Sequence, residues 1–466
     1  MDAIYTIAQH IFDTGYENLS KPVVEVTKKL IIDSLAVALA GSGAAGVRPL
    51  VQLLSEWGGK RESTIWVHGV KLPCVHTAQA NAVMIHALDF DDTHDQALLH
   101  TGVVTVPVAF AMAERQGGVT GREFMTAVAL GADLAARLCL ANTVSMFERG
   151  WHYTTLHGNF GAAAVGAKLL KLSPEDMVSA FGLAYHQACG NLQGLNDGVL
   201  AKRMGPGFSC RNGTAAVLMA QKGISGARNV LQGRNGLFHV YHRGDCRPEV
   251  LLSELGHRFE VTNLSFKPYP CCRETHPSID AALALKKEHR LQPNEIEEVI
   301  ANLSKTTKEL LCEPLEVKQN PASTVDAQFS VPWTVSSALV KGNVGIDTFT
   351  EKAIHDASVL AVTNRVTPRI DPTLERMGVA PARLEIRMKD GRTVTRQVDH
   401  AFGSPENPMD MNATVAKFTD CAAHAFKPFS EEHLQKLLQM LLHMEDIEDV
   451  GMITLLLSIR DPERGN

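Results

Sequence analysis

Long apolar runs, basic blocks and paired cysteines are all missing from this 466-residue chain. The most apolar early stretch, residues 30–45, is interrupted by Asp33 and Ser34 and is shorter than the roughly 20 residues a bilayer span requires. The opening Met1-Asp2-Ala3-Ile4-Tyr5 has neither the positive region nor the apolar core of a secretory signal. The nine cysteines form no C-x-x-C pair, and adjacent Cys271-Cys272 suits neither a zinc knuckle nor an ordinary disulfide. Reduced thiols in a cytoplasmic protein are the expectation, and iron–sulfur chemistry lacks three suitably spaced ligands. A net charge of −6 without clustered Lys and Arg argues against nucleic acid as a partner. Aromatic residues make up 6%.

What is present is an ordinary globular mixture, 45% hydrophobic and 21% charged. Its length is enough for two or three domains at roughly 150 residues each. Apolar spacing predicts helices through the first part of the chain. Val23 to Leu39 follows Ser20 and Pro22 and stops at Gly41. Thr120-Gly121-Arg122-Glu123 is a capping box before a run to Leu140. Ser173-Pro174-Glu175-Asp176 is a similar start, and Gly161 to Ala167 is a small-residue helix whose neighbours should approach closely. Later the pattern changes. Glu298 to Asn302 reads as a strand, and Leu384, Ile386 and Met388 alternate with charged residues before Asp390-Gly391 and a second alternating run to Val398, a hairpin signal. From Asn412 the pattern is helical again. The expected fold is therefore mostly α with an α+β part. A large helical domain is built from both chain ends (1–267 and 404–466), and a smaller α+β lid domain (268–403) is inserted between them.

The densest polar segment is His86-Ala87-Leu88-Asp89-Phe90-Asp91-Asp92-Thr93-His94-Asp95, with His100 beyond. So many carboxylates and imidazoles are costly unless solvated, paired or placed at a site. A solvated loop with a helix cap is the bland alternative. Asp91-Asp92-x-x-Asp95 also matches the aspartate-rich motif with which prenyl-diphosphate enzymes hold Mg²⁺, although few aromatics are available to shelter a carbocation. The histidines and acids lack the clean ligand spacing of a metal hydrolase. His157, His186 and His239 stand alone and read as core or surface histidines; Lys202 beside Arg203 reads, in isolation, as a solvated pair.

Taken in order, six segments carry a family resemblance. They are Asp89-Phe90-Asp91-Asp92-Thr93 with His100; Gly150-Trp151-His152 with the alanine-rich run from Gly161; Ala201-Lys202-Arg203-Met204 through Gly207; Phe266-Lys267-Pro268-Tyr269-Pro270-Cys271-Cys272 with His276; Ala327-Gln328-Phe329-Ser330-Val331-Pro332; and Gly403-Ser404-Pro405-Glu406-Asn407-Pro408-Met409. The series resembles the MmgE/PrpD family, which includes 2-methylcitrate dehydratases, cis-aconitate decarboxylases and an iminodisuccinate epimerase. The resemblance implies a helical domain with an α+β lid, a homodimer, and a pocket using Asp89, Thr93, His100, His152, Lys202 and Lys267. Several positions depart from the decarboxylase branch: one extra residue between Thr93 and His100, Cys272 for a histidine, Trp333 for a tyrosine, and Tyr153 where a proline often stands.

These residue types suit chemistry at a carbon next to a carboxylate. Such a proton is weakly acidic, so its removal needs a base and cationic partners in a dry pocket. Histidine works near neutral pH, and Lys or Arg can hold carboxylates. The implied catalytic set is His152, Lys202, His100, Asp89 and Lys267; the implied substrate contacts are Thr93, Arg203, Cys272, His276 and Trp333. The expected activity is a cofactor-independent, metal-independent dehydratase-type lyase for a small hydroxy di- or tricarboxylate such as 2-methylcitrate. Epimerisation or decarboxylation on the same scaffold, and a non-catalytic helical binding protein, stand as alternatives. The expected partners are a small polycarboxylate and a second copy of the chain, with no membrane and no nucleic acid.

Overall fold

Helices begin where the sequence supplies their caps. The computed structural model describes residues 1–458 apart from Ser145 and Met377. The helix Lys21–Gly41 starts after Ser20 with Pro22 in its first turn. The helix Gly121–Leu140 opens on a complete capping box, Thr120 accepting from Glu123 N at 3.2 Å and Glu123 accepting from Thr120 N at 3.1 Å. Ser173 accepts from Asp176 N at 3.2 Å at the start of Pro174–His186. The chain is about 58% helical. No helix among the described residues is long and apolar enough to cross a membrane.

Two compact units are present. The first comprises Met1–Leu264 and the segment from Asp410 onward; the second is Ser265–Met409. In the first unit the helix Tyr153–Leu169 is buried at all but one of its positions, Lys168. Its small residues explain how. Gly131 of Gly121–Leu140 and Gly161 meet backbone to surface: a Cβ on Gly131 would stand 2.8 Å from Gly161 O and 2.5 Å from Val165 Cγ2. On the other side, a Cβ on Gly213 of Ala201–Gln221 would lie 2.5 Å from Ala162 Cβ and 2.9 Å from Asn159 O. Close approach on both flanks leaves no room for larger side chains.

The second unit carries a four-stranded sheet ordered Val366–Ile370, Ile296–Leu303, Ala382–Met388, Thr393–Val398. The first pair is parallel, with Val299 opposite Val366. The other pairs are antiparallel, and Arg387 opposite Thr393 closes the hairpin expected around Asp390-Gly391. Ala382, Leu384, Ile386 and Met388 are buried, and they share a core with Ile279, Ala282 and Leu285 of the helix His276–His289. The strand Val366–Ile370 has no alternating pattern and contains Pro368, which an edge strand tolerates because one row of its backbone groups is unpaired.

The Gly213 contact is tested by Gly213→Ala. The added methyl meets backbone that cannot swing aside, so we expect about 1–3 kcal/mol of destabilisation from overpacking, read as a lower midpoint in urea melts. Gly117→Ala, at a site with φ +72 and open space, serves as the comparison in which strain acts without a clash.

Candidate functional site

Four helix ends meet in the first unit. Cys74–His86 ends on His86, and the chain turns through Asp89 at φ +53, a left-handed conformation uncommon outside glycine. Asp92, fully buried, accepts from Thr101 N, Thr101 Oγ1 and Gly102 N, each at 2.9 Å, at the start of Gly102–Gln116. This clamp places His100 immediately ahead of that helix. His100 N donates to Thr154 Oγ1 at 3.2 Å. Thr154 lies in the first turn of Tyr153–Leu169, whose N-cap is His152. Lys202, in the first turn of Ala201–Gln221, forms an ion pair with Asp89. Three of the four converging ends are therefore N-termini, the positive ends of their helices.

Within this setting Asp91 is fully buried between two imidazoles. His86 Nδ1 donates to Asp91 Oδ2 at 2.9 Å. His100 Nδ1 lies 3.2 Å from the same oxygen, off the hydrogen-bond direction. The rings of His86 and His100 are 4.8 Å apart edge to face, and those of His86 and His152 are 6.1 Å apart. Burial would push Asp91 up, but His100 and His86 hold it well below the usual carboxylate range. Burial lowers His86 to about 4 and, with help from Lys202, His86 and His100, pushes His152 well below the usual imidazole value. Both rings are thus neutral near pH 7. With Nδ1 donating to Asp91, His86 Nε2 is a bare acceptor, and it has no partner among the described residues.

The expected residues divide between the units. Asp89, His100, His152, Lys202 and Arg203 gather around the helix ends just described. Thr93 is buried nearby but donates to Asp95 Oδ1 at 2.8 Å. Arg203 is only 8% exposed, yet its guanidinium makes no hydrogen bond or ion pair with any described residue; burial lowers its pKa, with Asp89 pulling the other way. Lys267, Cys272, His276 and Trp333 belong to the second unit. There Lys267 is buried, His276 Nδ1 lies 3.1 Å from Arg273, Cys272 N donates to Gln328 O at 3.0 Å, and Trp333 packs in the apolar core. Two residues of the first unit were not placed in this cluster from the sequence: His86, and Asp91, which had a role there only in the magnesium reading. Their signal was the acid–imidazole density of residues 86–95, which marks a cluster without saying which members pair.

The magnesium reading of Asp91, Asp92 and Asp95 does not hold. The three carboxylates share no helix face: Asp91 meets histidines, Asp92 caps a helix and Asp95 meets Thr93. His86, Asp89 and His100 do offer one ligand atom each within 4.8 Å of one another. A cation there would have to share Asp89 with the Lys202 ammonium. His157, read as a core histidine, is buried between Cys139 Sγ at 3.0 Å and His242 Nε2 at 3.2 Å, and His186 and His239 are exposed.

The acidic turn is fixed from the far end of the chain. Lys417, on Met411–Ala423, donates to Asp33 Oδ1 at 2.7 Å and to Phe90 O at 2.8 Å, with its ammonium 3.9 Å from the Phe90 ring. Phe90 stands between Asp89 and Asp91, so this one buried cation holds the backbone that carries both site carboxylates.

Comparison with known proteins gives a consistent result. The family model of the MmgE/PrpD N-terminal domain matches residues 5–249 and that of the MmgE/PrpD C-terminal domain matches residues 269–442. The chain is 26% identical over 462 residues to a cis-aconitate decarboxylase of Aspergillus terreus, covering 95% of this chain and 93% of that protein. It is 25% identical over 471 residues to the cis-aconitate decarboxylase of Homo sapiens, covering 98% and 94%. A cis-aconitate decarboxylase of Mus musculus matches at 25% over 457 residues, covering 94% and 90%.

Lys417→Met tests the anchoring of the turn. Burial, opposed by Lys417, raises Asp33 to about 6, above the unfolded value of about 3.9. Asp33 therefore contributes stability that is full below the unfolded value and is lost as pH rises through about 6. Removing the cation raises Asp33 further and deepens that loss. We expect the variant to be destabilised by about 3–5 kcal/mol at pH 8 and by clearly less at pH 5, where Asp33 is protonated. Equal losses in urea melts at both pH values would refute the pairing.

Proposed function

Because this chain belongs to the MmgE/PrpD family, we propose that the cluster around His152 and Lys202 binds a small polycarboxylate and moves a proton on the carbon next to one of its carboxylates. The observation that carries this reading is Arg203, a largely buried guanidinium that makes no hydrogen bond or ion pair with any described residue and feels the Asp89 charge without pairing with it. A buried cation with no carboxylate in ion-pair range is unfavourable, and its fork geometry matches a carboxylate bidentately. Three helix N-termini beside it add donors and positive potential.

The chemistry follows from the charges. Substrate carboxylates give Arg203 a close negative partner. The same charges raise the depressed His152 pKa toward the working range, since an anion beside an imidazole favours its protonated form. His152 Nδ1 is engaged by Thr155 Oγ1 at 2.7 Å, which leaves Nε2 as the proposed base. It takes the proton from the α carbon, and the electron pair moves into the carboxylate as an enediolate stabilised by Lys202 and Arg203. Loss of a β-hydroxyl as water, protonated by a neighbouring acid, completes a dehydratase cycle without metal or organic cofactor. His86 and His100, oriented by Asp91, supply the proton relay. A decarboxylase is the second reading, favoured by the similarity to cis-aconitate decarboxylases; there loss of CO₂ leaves the carbanion, and the same groups deliver the proton.

Single variants assayed on a panel of hydroxy and unsaturated polycarboxylates test the assignment. His152→Ala should lower kcat by roughly 10²–10⁴ with little change in melting temperature. Arg203→Ala should mainly raise KM, by roughly 10–100-fold for a lost charged hydrogen bond. Lys267→Ala is expected, from the family resemblance, to change both constants. Turnover should persist after exhaustive chelation. Near-wild-type turnover in His152→Ala and Lys202→Ala together would sink the proposal, and release of CO₂ rather than water would select the second reading.

A further inference from the structure

The helices that begin at the histidine cluster end at a cavity. Gly102–Gln116 has 15 residues and Tyr153–Leu169 has 17. At 1.5 Å per residue their far ends lie roughly 22–25 Å from His100 and His152. There the first unit encloses about 540 Å³, within the usual range of small-molecule sites. Its wall is partly apolar: Phe12, Tyr16, Val119, Leu169 and Met177. Phe12 is 44% exposed, an aromatic ring left uncovered at the end of its helix.

Cations are the other feature of the lining. Lys168, half-buried, donates to Phe12 O at 2.9 Å and has no carboxylate in ion-pair range among the described residues. Asp13, the nearest opposing influence, accepts instead from Gln9 at 2.9 Å. Arg122 lies over the Tyr16 ring at 5.1 Å and donates to Glu445 O at 3.3 Å, again without an acidic partner. Lys171 is neutralised by Glu123 at 2.9 Å, and Glu123 is further engaged by Thr120 in the capping box. Glu17 is exposed. The cavity thus joins an apolar wall to two cations not paired with acids. Burial lowers the Lys168 pKa, so an anion beside it would relieve an existing strain on its charge.

We propose that this cavity is a second ligand site, for a carboxylate carrying an apolar chain or ring, separate from the histidine cluster and independent of what that cluster catalyses. The carboxylate meets Lys168 and Arg122, and the apolar body covers Phe12, Leu169 and Met177.

Titration calorimetry with octanoate tests this on the full chain. One saturable site per chain is expected, with a Kd on the order of 0.1–1 mM for a ligand this small. 1-Octanol, which has the chain without the charge, should bind about tenfold more weakly. Lys168→Met should weaken octanoate about tenfold while keeping its melting temperature and its turnover; Arg122→Gln, at an exposed position, gives the same readout if Lys168→Met folds poorly. Lys202→Met should bind octanoate as the wild type does. No saturable binding by the wild type, or undiminished binding in both cavity variants, would overturn the proposal. Loss of binding in Lys202→Met would overturn it as well, because the probe would then occupy the histidine cluster.

Discussion

Burial of the Asp91 carboxylate is the constraint around which the rest of the site is arranged. A fully buried carboxylate is unfavourable unless charged or hydrogen-bonding partners surround it. Here His86 donates to Asp91 Oδ2 and the His100 ring lies against the same oxygen, so the place of Asp91 constrains both rings. Its neighbour Asp92 is equally buried but is met by the N–H groups and hydroxyl at a helix start. Two adjacent acids with different partners leave the turn little freedom. That explains why Asp89 is held at φ +53, a strained position that persists only when its surroundings over-determine it. Lys417 adds a third fixed point at Phe90 O.

Convergence of helix starts depends in turn on small residues. A Cβ on Gly158 would lie 2.6 Å from Val104 Cγ1, and one on Gly205 would lie 2.5 Å from Thr155 Oγ1. These contacts join the first turns of three helices whose N-termini carry His152, Lys202 and the residue after His100. With larger side chains the axes would move apart and the positive ends would no longer converge. The alanine- and glycine-rich composition is thus a condition for the electrostatics, which act strongly only where water is excluded.

The helical architecture was legible because its signals are local. The capping box at Thr120, the Ser173 start and the Asp390-Gly391 hairpin each need only a few consecutive residues. The strand Val366–Ile370 was not legible, because it pairs in parallel with a strand some seventy residues earlier and carries a proline. The same distinction separates the site residues. The resemblance picked out Asp89, His100, His152 and Lys202, whereas the His86–Asp91 pair and the Lys417 anchor follow from how elements pack. Lys417 and Phe90 are 327 positions apart, and no periodicity relates them. Thr93 shows the converse: a motif position whose hydroxyl is taken by Asp95 within its own turn.

The two neighbouring cations Lys202 and Arg203 divide the electrostatic work. Lys202 is already neutralised by Asp89, so its charge adds little to the affinity for a free carboxylate. It can respond once negative charge develops nearby, because an ammonium on a flexible stem can move between partners. Arg203 has no carboxylate in ion-pair range among the described residues, although Asp89 acts on its charge. In the proposed function a bound carboxylate gives this guanidinium a close counter-charge, stabilising the folded chain by linkage. An interaction present equally in bound substrate and transition state lowers KM without raising kcat, whereas one that strengthens as charge builds raises kcat. Under the proposed reaction this criterion assigns Arg203 to binding and Lys202 to the chemical step. The asymmetry of their partners, one paired with an acid and one not, is the structural form of that difference.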